Sequence, residues 1–125
     1  MRRPSRSVWR VTLALLAATT AALALTPDSG PAIDTGWDKL NHLLAFAALG
    51  LCAQSCASDP RRPAWAWLGL VLAFGVLIEI AQTQVPGRHA EAADLLADAL
   101  GIACGAVPAL LLWRWPPTPR HEPGP

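Results

Sequence analysis

Apolar residues run through this chain in four long blocks, separated by short polar stretches rich in proline and glycine. The blocks extend from about Val8 to Leu25, Leu40 to Cys56, Ala64 to Val85 and Ala92 to Trp113. Each approaches the roughly 20 residues that an α-helix needs to cross a bilayer. The pattern therefore predicts an all-α membrane bundle with four transmembrane helices, the second being the shortest. The breaks read as turns: "TPDSGPAIDTG", "SDPRRP" and "VPGRHAE" each carry the residues that interrupt regular structure. This divides the chain into a basic N-terminus (1–7), a four-helix membrane domain (8–113) and a Pro-rich tail (114–125) expected to be disordered.

Composition strengthens the membrane reading. Charged residues make up 15% of the 125, against about 25% in ordinary soluble domains. The net charge of +1 gives no basic face for nucleic acid. Three cysteines, Cys52, Cys56 and Cys104, lie inside apolar runs without CxxC spacing, so they read as small packing residues and not as a disulfide framework.

The distribution of charge sets an orientation. Arg2, Arg3, Arg6, Arg10, Arg61, Arg62, Arg114 and Arg120 fall on one side of the four-span layout, and only Lys39 and Arg88 on the other. By the positive-inside rule both termini are expected in the cytoplasm. Trp9, Trp65, Trp67, Trp113 and Trp115 mark the cytoplasmic ends of spans, and Trp37 an outer end, as the amphipathic indole prefers. The start "MRRPSR" followed by "VTLALLAATTAALALT" also fits a signal peptide with a small-residue site near Ala22, Leu23 and Ala24. Retention as a first span is the expectation.

On this layout a set of polar residues distant in sequence collects at the outer end. Asp38, Lys39, Asn41 and His42 open the second span, Glu79 and Gln82 close the third, and Asp94 and Asp98 open the fourth. At about 1.5 Å of rise per residue, Glu79 should lie roughly 10 Å below the outer boundary. Leu68, Leu72, Gly75, Glu79 and Gln82 share one helical face by spacing, as do Asp94, Asp98, Gly101, Gly105 and Pro108. Gly101 and Gly105 form a GxxxG pair suited to close helix contact. An acid within a membrane helix is unfavourable by roughly 2.5 to 3.5 kcal/mol at its centre, so Glu79 and Asp98 are expected to face the bundle interior. Asp94 and Asp38 also suit the start of a helix, and His89 and Glu91 read as solvated loop residues.

The segments "DKLNHLLAFAALG" and "GVLIEIAQTQVPGRHAEAADLLADALG", taken in order, resemble the VanZ-like family of small polytopic bacterial membrane proteins. The resemblance covers most of the chain outside its two tails. It implies Asp38, Lys39, His42, Glu79, Gln82, Arg88, Asp94 and Asp98 as site residues. Many relatives carry Asn at the position of Asp98, which favours a hydrogen-bonding role there over a required charge. The founding member is associated with resistance to the glycopeptide teicoplanin, which supplies no mechanism for this chain.

Three readings follow. In the first, the polar cluster binds lipid or lipid-linked head groups, with Arg88 and Lys39 holding phosphate. In the second, the chain is an enzyme on such a head group, with Glu79 or His42 as general base and Arg88 stabilising negative charge. In the third, it is a scaffold and the polar layer joins helices. No cofactor is expected. No metal is expected either, because His42, Glu79 and the aspartates come from separate elements and form no local motif such as HExxH. The expected partners are membrane lipids or lipid-linked head groups, without nucleic acid and with a homo-oligomer left open. The expected location is the bacterial inner membrane.

Overall fold

The structure is a computed structural model that describes residues 4–27, 37–59 and 61–114. The first turn segment (28–36) and the Pro-rich tail from 115 onward lie outside the described residues. Every regular element described is an α-helix: α1 (Arg6–Ala24), α2 (Trp37–Ser55), α3 (Trp65–Gln82) and α4 (Ala92–Arg114). The hydropathy blocks thus become helices with boundaries shifted by at most three residues.

Local chemistry sets several boundaries. Ser5 caps α1, its hydroxyl accepting from the Val8 N–H at 3.4 Å. Pro63 precedes α3, and Pro86 follows it where a ring without an N–H suits a turn. Gly87 has φ 78°, a left-handed conformation that glycine adopts without a Cβ penalty. This turn sends Arg88 back across the end of the bundle.

Packing is centred on α2. It touches each of the other helices, and its contact with α4 is the most extensive. Small residues make that contact close. A Cβ added to Gly50 would lie 2.6 Å from the Ile102 carbonyl oxygen, and at Gly101 and Gly105 it would collide with the backbone carbonyls of Leu43 and Ala47. The GxxxG pair is therefore the surface on which α4 meets α2. Phe46, Leu49, Cys52 and Ala53 of α2, with Cys56 just after it, form the core with Leu13, Val71, Ile78 and Ile102. Cys104 is exposed, so only two of the three cysteines pack inside.

Two helical faces differ from the sequence expectation. In α3 the buried stripe is Val71, Gly75, Ile78, Glu79 and Gln82, while Leu72 points outward. In α4 the stripe ends on Ala109, and Pro108 is exposed. The reason is the 3.6-residue turn: after Gly105, a step of four returns to the buried face and a step of three drifts off it.

The outer surface of the bundle is apolar. Leu15, Leu70, Leu77, Leu100, Leu111 and Leu112 are all more than half exposed, an apolar surface far beyond what a soluble monomer presents. Among the described residues, α1, α3 and α4 are long and apolar enough to cross a membrane; α2 does not reach that hydropathy. Its polar ends lower the average, and burial among the other helices removes the need for an apolar exterior.

Arg10 lies over the Trp67 ring at 5.7 Å, and Arg61 Nε donates to the Trp113 carbonyl at 3.4 Å, both at the end opposite the acidic cluster. There the fully buried Gln54 ties the α2–α3 turn, its amide donating to the Arg62 carbonyl (2.7 Å) and accepting from the Ala64 N–H (3.1 Å). Gln54→Leu would leave buried backbone groups without these partners, a cost of about 1–3 kcal/mol. The expected outcome is a lower unfolding midpoint in detergent. An unchanged midpoint would show that the turn does not depend on this clamp.

Candidate functional site

The polar site forms where the end of α1, the start of α2, the end of α3 and the start of α4 meet. Asp38, His42 and Phe46 are spaced by four and share one face of α2. The His42 ring lies parallel to Phe46, with an interplanar angle of 2° and centroids 6.3 Å apart. This apolar support helps place the imidazole against α4, where His42 Nδ1 and Asp98 Oδ1 are 2.9 Å apart. Asp98 is fully buried and His42 nearly so. The second Asp98 oxygen, Oδ2, rests over Gly75, where a Cβ would come within 2.6 Å of it. Glycine at 75 is what lets the carboxylate approach the α3 backbone.

Glu79 and Asp94 enter the same layer, both buried. Glu79 Oε2 accepts from the Glu91 N–H at 3.0 Å, which ties α3 to the start of α4. Donor atoms of His42, Glu79 and Asp98 all lie within 4.8 Å of one another, and so do those of Asp38, His42 and Asp94. His42 is thus the junction of an inner and an outer set of carboxylates. Three separate helices supply what local sequence spacing does not.

Nearer the rim the charges are paired. Lys39 Nζ meets Glu91 Oε2 at 3.0 Å. Arg88 approaches Asp38 Oδ1 at 3.5 Å, and its Nε donates to the Thr26 carbonyl at 3.3 Å. Gln82 donates to the Ala24 carbonyl at 3.1 Å. Both Gln82 and Arg88 thereby hold the end of α1 in the bundle. A crevice of about 440 Å³ opens between α1 and α2, beside these residues. Its lining is mixed: Leu23, Ala24, Ala45 and Phe46 are apolar, and Asp38, Asn41, His42, Gln82 and Arg88 are polar.

All eight residues expected as a site converge at this end. Two others belong with them. Glu91, expected to be solvated, pairs with Lys39 through its side chain and with Glu79 through its N–H. Its position directly before α4, where its carbonyl accepts from Asp94 N–H at 3.0 Å, was the legible signal. Asn41 lines the crevice and is exposed; its i,i+3 relation to Asp38 was visible, but not the cavity beside it.

Chemically, the arrangement combines an oriented imidazole, buried carboxylates and a cationic rim beside an apolar slot. The sequence profile described as VanZ/LLP1 matches residues 3–113, which takes in all four helices nearly to the end of α4. No curated protein and no solved structure matches the chain.

Proposed function

This chain belongs to the VanZ/LLP1 family, and from that membership and its crevice we infer that it binds the phosphate-bearing head group of a lipid or lipid-linked molecule. In this reading α2 crosses the membrane together with α1, α3 and α4, which puts both termini on the cytoplasmic side by the arginine distribution. The polar layer then faces the outer leaflet of the bacterial inner membrane. A role in the cell envelope follows from that position; a glycopeptide response rests on the family resemblance alone.

The crevice carries the proposal. Its volume of about 440 Å³ is within the range of ligand pockets, roughly 300–1,000 Å³. Its mixed lining suits the two parts of a lipid: acyl chains along Leu23 and Phe46, and a phosphate at Arg88. The Arg88 guanidinium is already oriented by Thr26 and Asp38, so little of its freedom is lost on binding. A phosphate would compete with Asp38 for it, gaining charge-assisted hydrogen bonds.

Arg88→Ala is expected to lower copurification of anionic phospholipid at least several-fold, read by native mass spectrometry of protein released from nanodiscs. Equal lipid retention by the wild type and the variant would remove the proposal. A membrane-embedded enzyme acting on the same head group is the second reading, favoured by the imidazole oriented on Asp98 beside Glu79. It requires the retained lipid to appear altered in the same spectra.

A further inference from the structure

Five buried side-chain polar atoms have no hydrogen-bond partner among the described residues, and four of them sit in this one layer: Glu79 Oε1, Gln82 Oε1, Asp94 Oδ1 and Asp98 Oδ2. All four are oxygens. Buried polar groups are nearly always satisfied, and each exception calls for an explanation. Here the missing partner has to bring positive charge or donors, since three carboxylates surround a single imidazole. The rim cations are engaged elsewhere, Arg88 with Asp38 and Lys39 with Glu91.

We propose that His42, Glu79 and Asp98 bind a divalent cation of the zinc or manganese type between α2, α3 and α4. Their donor atoms lie within 4.8 Å of one another. Ligands about 2.0–2.2 Å from a zinc ion stand roughly 3–3.5 Å apart. The 2.9 Å between His42 Nδ1 and Asp98 Oδ1 is already close to that spacing, and side-chain rotation brings Glu79 to the ion. An imidazole with carboxylates suits zinc or manganese better than magnesium or calcium, which favour oxygen alone. The outer set is the weaker candidate, because Asp38 is half-exposed and held by Arg88. Asp94, with its own unpartnered oxygen, stands beside the site on the side toward Asp38.

The cation site rests on the buried oxygens and not on head-group binding, so the two are measured separately. The full chain in nanodiscs, stripped with a chelator and dialysed, is titrated with CoCl2, whose visible absorption reports nitrogen and carboxylate ligation, and then with ZnCl2. One saturable equivalent per chain is expected, displaced by ZnCl2 and not by excess MgCl2. His42→Gln and Glu79→Gln should each weaken binding by about tenfold or more, in the range seen on loss of metal-site groups. Asp98→Asn keeps a carbonyl oxygen and should weaken it less, and Asp59→Asn, exposed at the opposite end, should leave it unchanged. Circular dichroism and gel-filtration elution establish that each variant is folded. Absence of a saturable cobalt spectrum in folded wild type overturns the proposal, and so does equal binding by wild type, His42→Gln and Glu79→Gln. Lipid retention by the stripped protein is scored in parallel, and neither result stands in for the other.

Discussion

Gly105→Leu is expected to prevent formation of the folded bundle, and even Gly105→Ala should lower its stability measurably. A single Cβ at 105 collides with the backbone carbonyl of Ala47 and crowds the Leu51 N–H. Neither is a side chain that can rotate away, so α2 and α4 must separate. Overpacking a core typically costs about 1–3 kcal/mol. The cost should reach the upper end or exceed it here, because the opposing atoms are backbone and the contact runs along both helices. Gly101 and Gly50 repeat the same close approach, so separation at 105 loosens three contacts together. Separation also draws His42 from Asp98 and dismantles the polar layer. Gly69→Ala is the control: nothing lies within 4 Å of its added Cβ, and alanine favours a helix by about 1 kcal/mol over glycine. Unfolding in mixed micelles with increasing SDS, followed by circular dichroism, compares them. Matching midpoints for Gly105→Leu and Gly69→Ala would refute the close α2–α4 contact.

The second large effect concerns the buried pair. His42→Leu is expected to destabilise the bundle strongly, and adding Asp98→Asn should restore much of the loss. Two magnitudes compete. Polar pairs between membrane helices average about 0.6 kcal/mol in double-mutant cycles, whereas breaking a buried ion pair by removing one partner costs about 3–5 kcal/mol. The larger figure applies because Asp98 is fully buried and its Oδ2 already lacks a partner among the described residues. Without His42, Oδ1 loses its observed partner as well. Asparagine has the same shape and no charge, so it removes the source of the penalty. If the double variant is no more stable than His42→Leu alone, the cost comes from lost packing on Phe46 and not from a stranded charge.

Most of the architecture was legible from hydropathy alone. Blocks about a bilayer's thickness in length, separated by proline and glycine, became four helices with small changes at their ends. The inward placement of Glu79 and Asp98 was legible as well, since lipid rejects such groups and helical spacing fixes which residues share their face. Leu72 and Pro108 were misplaced because a 4-3-4-3 count only approximates 3.6 residues per turn. The hydropathy of α2 stands apart from the rest. Its polar ends keep it below the other three helices, and it packs against each of them. A hydropathy profile cannot distinguish a helix shielded by protein from one bathed in lipid.

The pairings were not legible. Arginine and lysine could equally have neutralised the deep carboxylates. Instead Arg88 takes Asp38, Lys39 takes Glu91, and the interior is left with His42. Those choices depend on side-chain reach across turns whose geometry no local pattern contains. Glu91 shows it most clearly: by composition it is a solvated loop acid, and by position it joins α2, α3 and α4.

By itself, then, the sequence determined which residues must be helical, which faces must avoid lipid, and that the acids within the apolar blocks gather at one end. These follow from transfer free energy and helical period, both local properties of the chain. Only the tertiary structure decided that α4 seats its glycines on α2, that Gly75 opens room for Asp98, and that His42, Glu79 and Asp98 bring donor atoms within 4.8 Å of one another. Those facts arise from contacts between residues far apart in the chain, set by how closely backbones can approach, and a linear pattern does not encode that distance.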